Sequence, residues 1–281
     1  MDVWGSDADR VLVVSNSSKI VRCSANVNSC VELSKEMSQR LGVWGSDPQN
    51  IYVVGQGGSI VRCSGSAGTC SRLKSNATGY LNRVWGSDAE YVYAVGGNYC
   101  RLSGPPSGAA EIVRCRASSS DCEKLTVPTG LPFCGVWGSD AENVYVVGGK
   151  GAIVRCTAAT NNCTKLDSGT TQHLYGVWGS DADNVYAVGD NTIVRCQVGA
   201  DTCMPLNHGM TGIIFNGVWG SDPRNVYVVG SGGVVVRCAA GESTCTPLTS
   251  GSSSGLNAVF GTDSNNVYVV GDNGTILRRR L

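Results

Sequence analysis

Fourteen cysteines carry the most constrained chemistry in this 281-residue chain. Twelve fall into six pairs with six residues between the sulfurs: Cys23/Cys30, Cys63/Cys70, Cys115/Cys122, Cys156/Cys163, Cys196/Cys203 and Cys238/Cys245. Paired zinc ligands stand two to four residues apart, and the two histidines, His173 and His208, cannot complete six metal sites. Each pair is therefore expected to form a disulfide across a local hairpin, with no metal. Cys100 and Cys134 both lie in the one repeat that departs from the pattern, and a seventh bridge between them is expected. Full pairing suits an oxidising place: extracellular, cell-surface or periplasmic.

Two further sets could do chemistry. Asp7, Asp47, Asp88, Asp140, Asp181, Asp222 and Asp263 each follow a Ser or Thr, which invites a calcium or catalytic reading. In Ser-Asp-x-x-Asn between strands, however, an Asp accepts backbone N–H bonds and sets a turn, and Pro48 and Pro223 stand where a type I turn favours proline. Arg22, Arg62, Arg114, Arg155, Arg195, Arg237 and Arg278 recur in another strand-like run. Alternation along Ile-Val-Arg-Cys sets them on the face opposite Val and Cys, to stack on a neighbour, pair with an acid, or hold anions as a ring. No Ser-His-Asp spacing, phosphate-binding glycine loop or histidine metal motif is present, so neither enzyme nor cofactor is expected.

What must position these groups is a repeat. Val-Trp-Gly-Ser-Asp begins at 3, 43, 84, 136, 177 and 218, and Val-Phe-Gly-Thr-Asp at 259, giving intervals of 40, 41, 52, 41, 41 and 41. The fourth unit shows four short β-branched runs: Phe133 to Ser139, Asn143 to Gly148, Ala152 to Cys156 and Cys163 to Leu166. Four antiparallel strands repeated seven times predict an all-β, seven-bladed β-propeller spanning 1–281 as one domain, with a solenoid the other solution. The VWGS run is expected innermost, its Gly letting backbones crowd and its Trp wedging between blades. The last repeat stops before any Cys-x-x-Leu segment, so its blade is expected to lack an outer strand. Charged residues make up 16% and balance to zero, which disfavours nucleic acid. No apolar run is long enough to span a bilayer, and an export signal, if any, is expected to have been removed or replaced by Met1.

Ile60-Val61-Arg62-Cys63-Ser64-Gly65-Ser66-Ala67-Gly68-Thr69-Cys70-Ser71-Arg72-Leu73 is similar to the Asp-box hairpin, with cysteines near its usual Ser and Trp places. Together with VWGSDxxNVYVVGxxGxIxR, the chain resembles the Asp-box-related propellers that include photosystem II assembly factor-like repeats and VWGS-rich bacterial surface proteins. The resemblance covers every repeat and implies the fold. Its relatives include sialidases, sortilin-type receptors and assembly factors, so it does not choose between catalysis and binding. A sialidase needs three arginines, a Tyr and a Glu at irregular positions, whereas Tyr52, Tyr93, Tyr145, Tyr186, Tyr227 and Tyr268 all belong to the repeat.

In such a propeller the second-to-third-strand turns and the between-blade links share one face, where the variable residues collect. The leading expectation is a secreted, multivalent propeller that binds glycans or another cell-surface ligand there or between blades. Candidate contacts are Tyr80, Asn82, Tyr99, Arg101, Phe133, His173, Tyr175, His208, Asn216 and Asn257. Asn82, Asn216 and Asn257 recur two positions before the repeat Val, where Tyr175 and Cys134 stand in other blades. The alternative is a structural protein that forms oligomers or filaments through the open edge of its last blade.

Overall fold

The computed structural model describes residues 2–7, 10–14, 19–24, 26, 29–34, 39–64, 68–98, 100 and 109–278, with backbone only at 34 and 40. The fold is the all-β, seven-bladed propeller: six four-stranded antiparallel sheets in chain order and a seventh of three strands. Blade 2 is representative, with strands Arg40–Asp47, Asn50–Gly55, Ile60–Ser64 and Thr69–Leu73. Blade 7 has Leu256–Asp263, Asn266–Gly271 and Ile276–Arg278. Helical turns among the described residues are four short 3-10 segments between second and third strands, as at Gly149–Gly151. The chain packs as two compact units, one of Met1–Val136, Asp140–Glu142 and Cys156–Thr164, the other of Trp137–Ser139, Asn143–Arg155 and Lys165–Leu281.

Each unit repeats one packing joint. In the first, Tyr52, Val54, Ile60 and Leu73 of blade 2 bury against Leu81, Val84, Val92, Ala94 and Val113 of blade 3. The second repeats this with Tyr186, Val188, Ile193 and Leu206 of blade 5 against Phe215, Val226, Val228 and Val236 of blade 6. The tryptophans wedge as expected. A Cβ on Gly86 would stand 2.6 Å from the Trp44 ring, and one on Gly179 2.6 Å from Trp137. The repeat glycine is thus the seat of the preceding blade's indole, which no other residue leaves room for.

The Asp turns also form. Asp47 accepts from the backbone N–H of Gln49 at 2.7 Å and of Asn50 at 3.0 Å, from the Asn50 amide, and from Ser46 Oγ at 2.8 Å. All seven disulfides are made, and no described cysteine is free. Six of them staple third to fourth strands, as where Cys63 and Cys70 face each other in register. Beside them runs a second clasp between blades. Asn207 receives at its carbonyl the Cys245 N–H at 2.7 Å, and its own N–H donates to the Ser243 carbonyl at 2.9 Å. Lys74 holds Ser120 and Cys122 in the same way.

Candidate functional site

The position two before the repeat Val proves special because the first strand bulges there. Pairing jumps from Leu174 to Gly176, from Phe215 to Gly217 and from Leu256 to Ala258, so that the register skips Tyr175, Asn216 and Asn257. A bulge re-aims the extra side chain away from the ladder. Where it goes differs between blades. Asn216 donates its amide to the Leu256 carbonyl at 2.9 Å. Asn82, only 4% exposed, donates to the carbonyls of Asn98 at 2.7 Å and Phe133 at 2.8 Å. These two amides, expected to meet a ligand, instead clamp their blade to backbone 40 and 51 residues away. Phe133 is likewise not an exposed ring: it is fully buried as the apolar residue before the bulge slot. Cys134 fills that slot in blade 4 and is tied to Cys100. Tyr80 is half-buried on the first strand of blade 3, opposite Gly97. Tyr99 and Arg101 lie outside the described residues.

Blade 5 breaks the rule in the second unit. Its second-to-third-strand turn is only Asp190–Asn191, where blade 4 uses Gly149–Gly151. Tyr175 is re-aimed onto this turn and donates its hydroxyl to both Asp190 carboxylate oxygens, at 3.0 and 3.1 Å. His173 stacks on Tyr175 with centroids 6.4 Å apart and planes 8° apart, and its carbonyl accepts the Asp190 N–H at 2.9 Å. Gly189 permits this approach, since a Cβ there would fall 1.8 Å from the His173 carbonyl oxygen.

The following link closes the patch. Asn191, at φ 47°, donates its N–H to the Ile213 carbonyl at 2.6 Å, and its side-chain oxygen accepts the Ile213 N–H at 3.3 Å. His208 takes the place of the buried serines Ser75 and Ser168 and the half-buried Ser250 of other links. It is 7% exposed, lies edge-on to Phe215 at 5.0 Å, and sets Nε2 3.2 Å from the Asn191 carbonyl. Since a carbonyl only accepts, Nε2 carries the proton. His208 therefore braces the turn from beneath, while half-buried His173, Tyr175 and Asp190 and the exposed Ile214 form the surface. Asn257 makes a related pair in blade 7, donating to Asp272 at 2.7 Å. Of the expected contacts, the fold thus brings together His173, Tyr175 and His208. Asp190, Asn191 and Ile214 were missed, and the shortened turn in the fifth repeat was the available signal. Chemically, the patch offers a stacked aromatic pair, a carboxylate able to accept further hydrogen bonds, and an apolar rim.

Of the repeated Asp and Arg sets, Asp47, Asp181, Asp222, Arg62 and Arg114 are engaged in structure. Burial pushes the Asp47, Asp181 and Asp222 carboxyls up, but bonds from Asn and Ser side chains and backbone N–H groups outweigh it and hold them below the usual range. Arg62 donates to the Ala117 carbonyl of the next blade. Arg114 reaches the carbonyls of Ala158 at 3.0 Å and Thr160 at 3.3 Å, Glu123 at 2.8 Å and the Asn161 side chain at 2.7 Å. The expected pairing of this arginine with an acid and a neighbouring blade is met there.

No family model and no curated protein matches the chain. Among solved structures it is similar to one titled "YCF48 bound to D1 peptide", with a TM-score of 0.70 and 12% identity over 100% of this chain and 91% of that one. The likeness is one of fold. It agrees with the propeller read from the repeats, and neither the Asp-box nor the VWGSD resemblance gains a family match.

Proposed function

We propose that this chain is a non-enzymatic binding propeller of an oxidising, extracellular setting, which recognises glycans or another cell-surface ligand through the loop face of blade 5. The observation that carries this reading is the meeting of His173, Tyr175 and Asp190 at the shortened turn of blade 5, while the repeated Asp and Arg groups described above serve turns and joints. A half-exposed aromatic pair beside a carboxylate suits a flat, hydroxyl-bearing ring or an extended amide backbone. Peptides belong in the ligand panel because the similar solved propeller is titled as peptide-bound. Seven disulfides support the oxidising setting. The test is a glycan and peptide array, with hits titrated against Asp190→Ala and Tyr175→Phe. Loss of about tenfold in affinity for each variant is expected; hits indifferent to both variants refute the site.

A second reading, self-assembly through blade 7, is favoured by one feature. Phe260, Tyr268, Val270 and Ile276 are 66%, 41%, 44% and 74% exposed, whereas the tyrosines and valines equivalent to Tyr268 and Val270 in blades 2 to 6 are buried. Light scattering after size exclusion separates the two readings, since a concentration-independent monomer removes the second.

A further inference from the structure

One charged group in the second unit lacks what its counterpart in the first possesses. Arg195 is 8% exposed, and its Nη1 is buried with no hydrogen-bond partner. A guanidinium cannot shed its charge in a protein, so burying it without an opposing charge is strongly unfavourable. Arg114, at the same register position in blade 3, is 3% exposed and has that charge. Its cross-strand neighbour is Glu123, which takes Nη2 at 2.8 Å, and Asn161 of the next blade accepts at 2.7 Å.

In blade 5 the cross-strand neighbour of Arg195 is Met204. The residue in the Asn161 place, offering its carbonyl to the interblade clasp, is Ser243. The carboxylate is thus replaced by a thioether and the amide by a short hydroxyl. On the other side of Arg195 in register stands Tyr186, fully buried. Burial pushes its hydroxyl up, with Arg195 pulling the other way. Met204 itself is 51% exposed. It stands opposite Arg195 in the register, on a side chain flexible enough to swing aside.

We propose that Arg195 is the floor of a small anion site on the outer part of blade 5, taking chloride or a carboxylate such as formate, with Tyr186 beside it and Met204 as its cover. The anion supplies the charge that Glu123 supplies to Arg114 in blade 3. A free ion and a carboxylate borne by a larger acidic ligand share this chemistry.

The experiment compares thermal unfolding of the oxidised wild type and Met204→Glu at constant ionic strength. Chloride or formate progressively replaces a bulky sulfonate anion too large for the slot. Wild-type Tm is expected to rise by about 4 °C and to saturate, as binding to the native state alone requires. Met204→Glu restores an internal carboxylate, so its Tm should start higher and respond by less than about 1 °C. Arg195→Gln should be equally unresponsive. A chloride response equal in all three proteins, or none in the wild type, overturns the site. A saturating rise with formate and with an acidic peptide assigns the larger ligand's carboxylate as a second source; a rise with formate alone limits the site to free ions.

Discussion

Trp178 and Phe260 hold the same place in their repeats, yet truncating them should have very different consequences. Trp178 is half-buried, packs in the joint between blades 5 and 6, and lies 6.4 Å from both the Trp137 and Trp219 rings. Its six-membered ring stands 2.7 Å from where a Cβ on Gly220 would be. An indole presents roughly 200 Å². With about half of it covered, the transfer contribution is about 2.5 kcal/mol at ~25 cal/mol per Å². A cavity no neighbouring glycine can fill, and two lost ring contacts, add about 1 kcal/mol. Trp178→Ala should therefore destabilise by about 3.5 kcal/mol, or roughly 6 °C in Tm for a chain of this size. Phe260 is 66% exposed and packs on Trp219 with ring centroids 5.8 Å apart. With about a third of its ring covered, Phe260→Ala should cost about 1.5 kcal/mol at ~25 cal/mol per Å². Scanning calorimetry on the oxidised proteins, at one scan rate, measures both. Equal losses would refute the argument, because they would require that the face of blade 7 is covered in solution.

Acid should act through Glu111 and the turn aspartates. Burial pushes the Glu111 carboxyl up, but Lys124 at 3.0 Å and the N–H groups of Thr78 at 3.1 Å and Gly79 at 2.9 Å hold it below its usual value. A depressed carboxylate stabilises above its unfolded pKa and loses that contribution as pH falls through the folded value. Tm should thus be flat above about pH 5 and fall below about pH 4, less steeply in Glu111→Gln, which should lose about 2 kcal/mol at neutral pH. Under limited reductant, mass spectrometry after alkylation should find Cys23–Cys30 opened first, since Cys30 is exposed whereas Cys115–Cys122 and Cys196–Cys203 are buried. The reverse order would contradict this. Asn216→Ala, which leaves the Leu256 carbonyl without its amide donor, should lower stability by about 1 kcal/mol without abolishing any array hit that depends on Asp190.

The local parts of this molecule were legible because each rests on neighbours in sequence. Strand alternation, the Asp47–Asn50 turn and six of the disulfides all close within one hairpin, where spacing alone sets geometry. The tryptophan seats were legible too, since a Gly two residues after the repeat Val in every copy implies crowding. The bulge slot was not. Asn82, Asn216 and Asn257 are identical residues in the same place, and two clamp backbone of the next blade while the third pairs with Asp272 in its own. The same holds for Arg114 and Arg195, whose difference resides in Glu123 and Met204.

By itself, then, the sequence determined the repeat, its strands, its turns and its staples, because a period near forty residues is imposed by short-range bonds that each copy makes alone. Only the tertiary structure decided which amide reaches a carbonyl, which arginine finds a carboxylate, and that His173, Tyr175 and Asp190 meet. The reason is physical: a polar side chain's role depends on the donor or acceptor within about 3 Å of it, and here that group often lies on another strand or blade, tens of residues away.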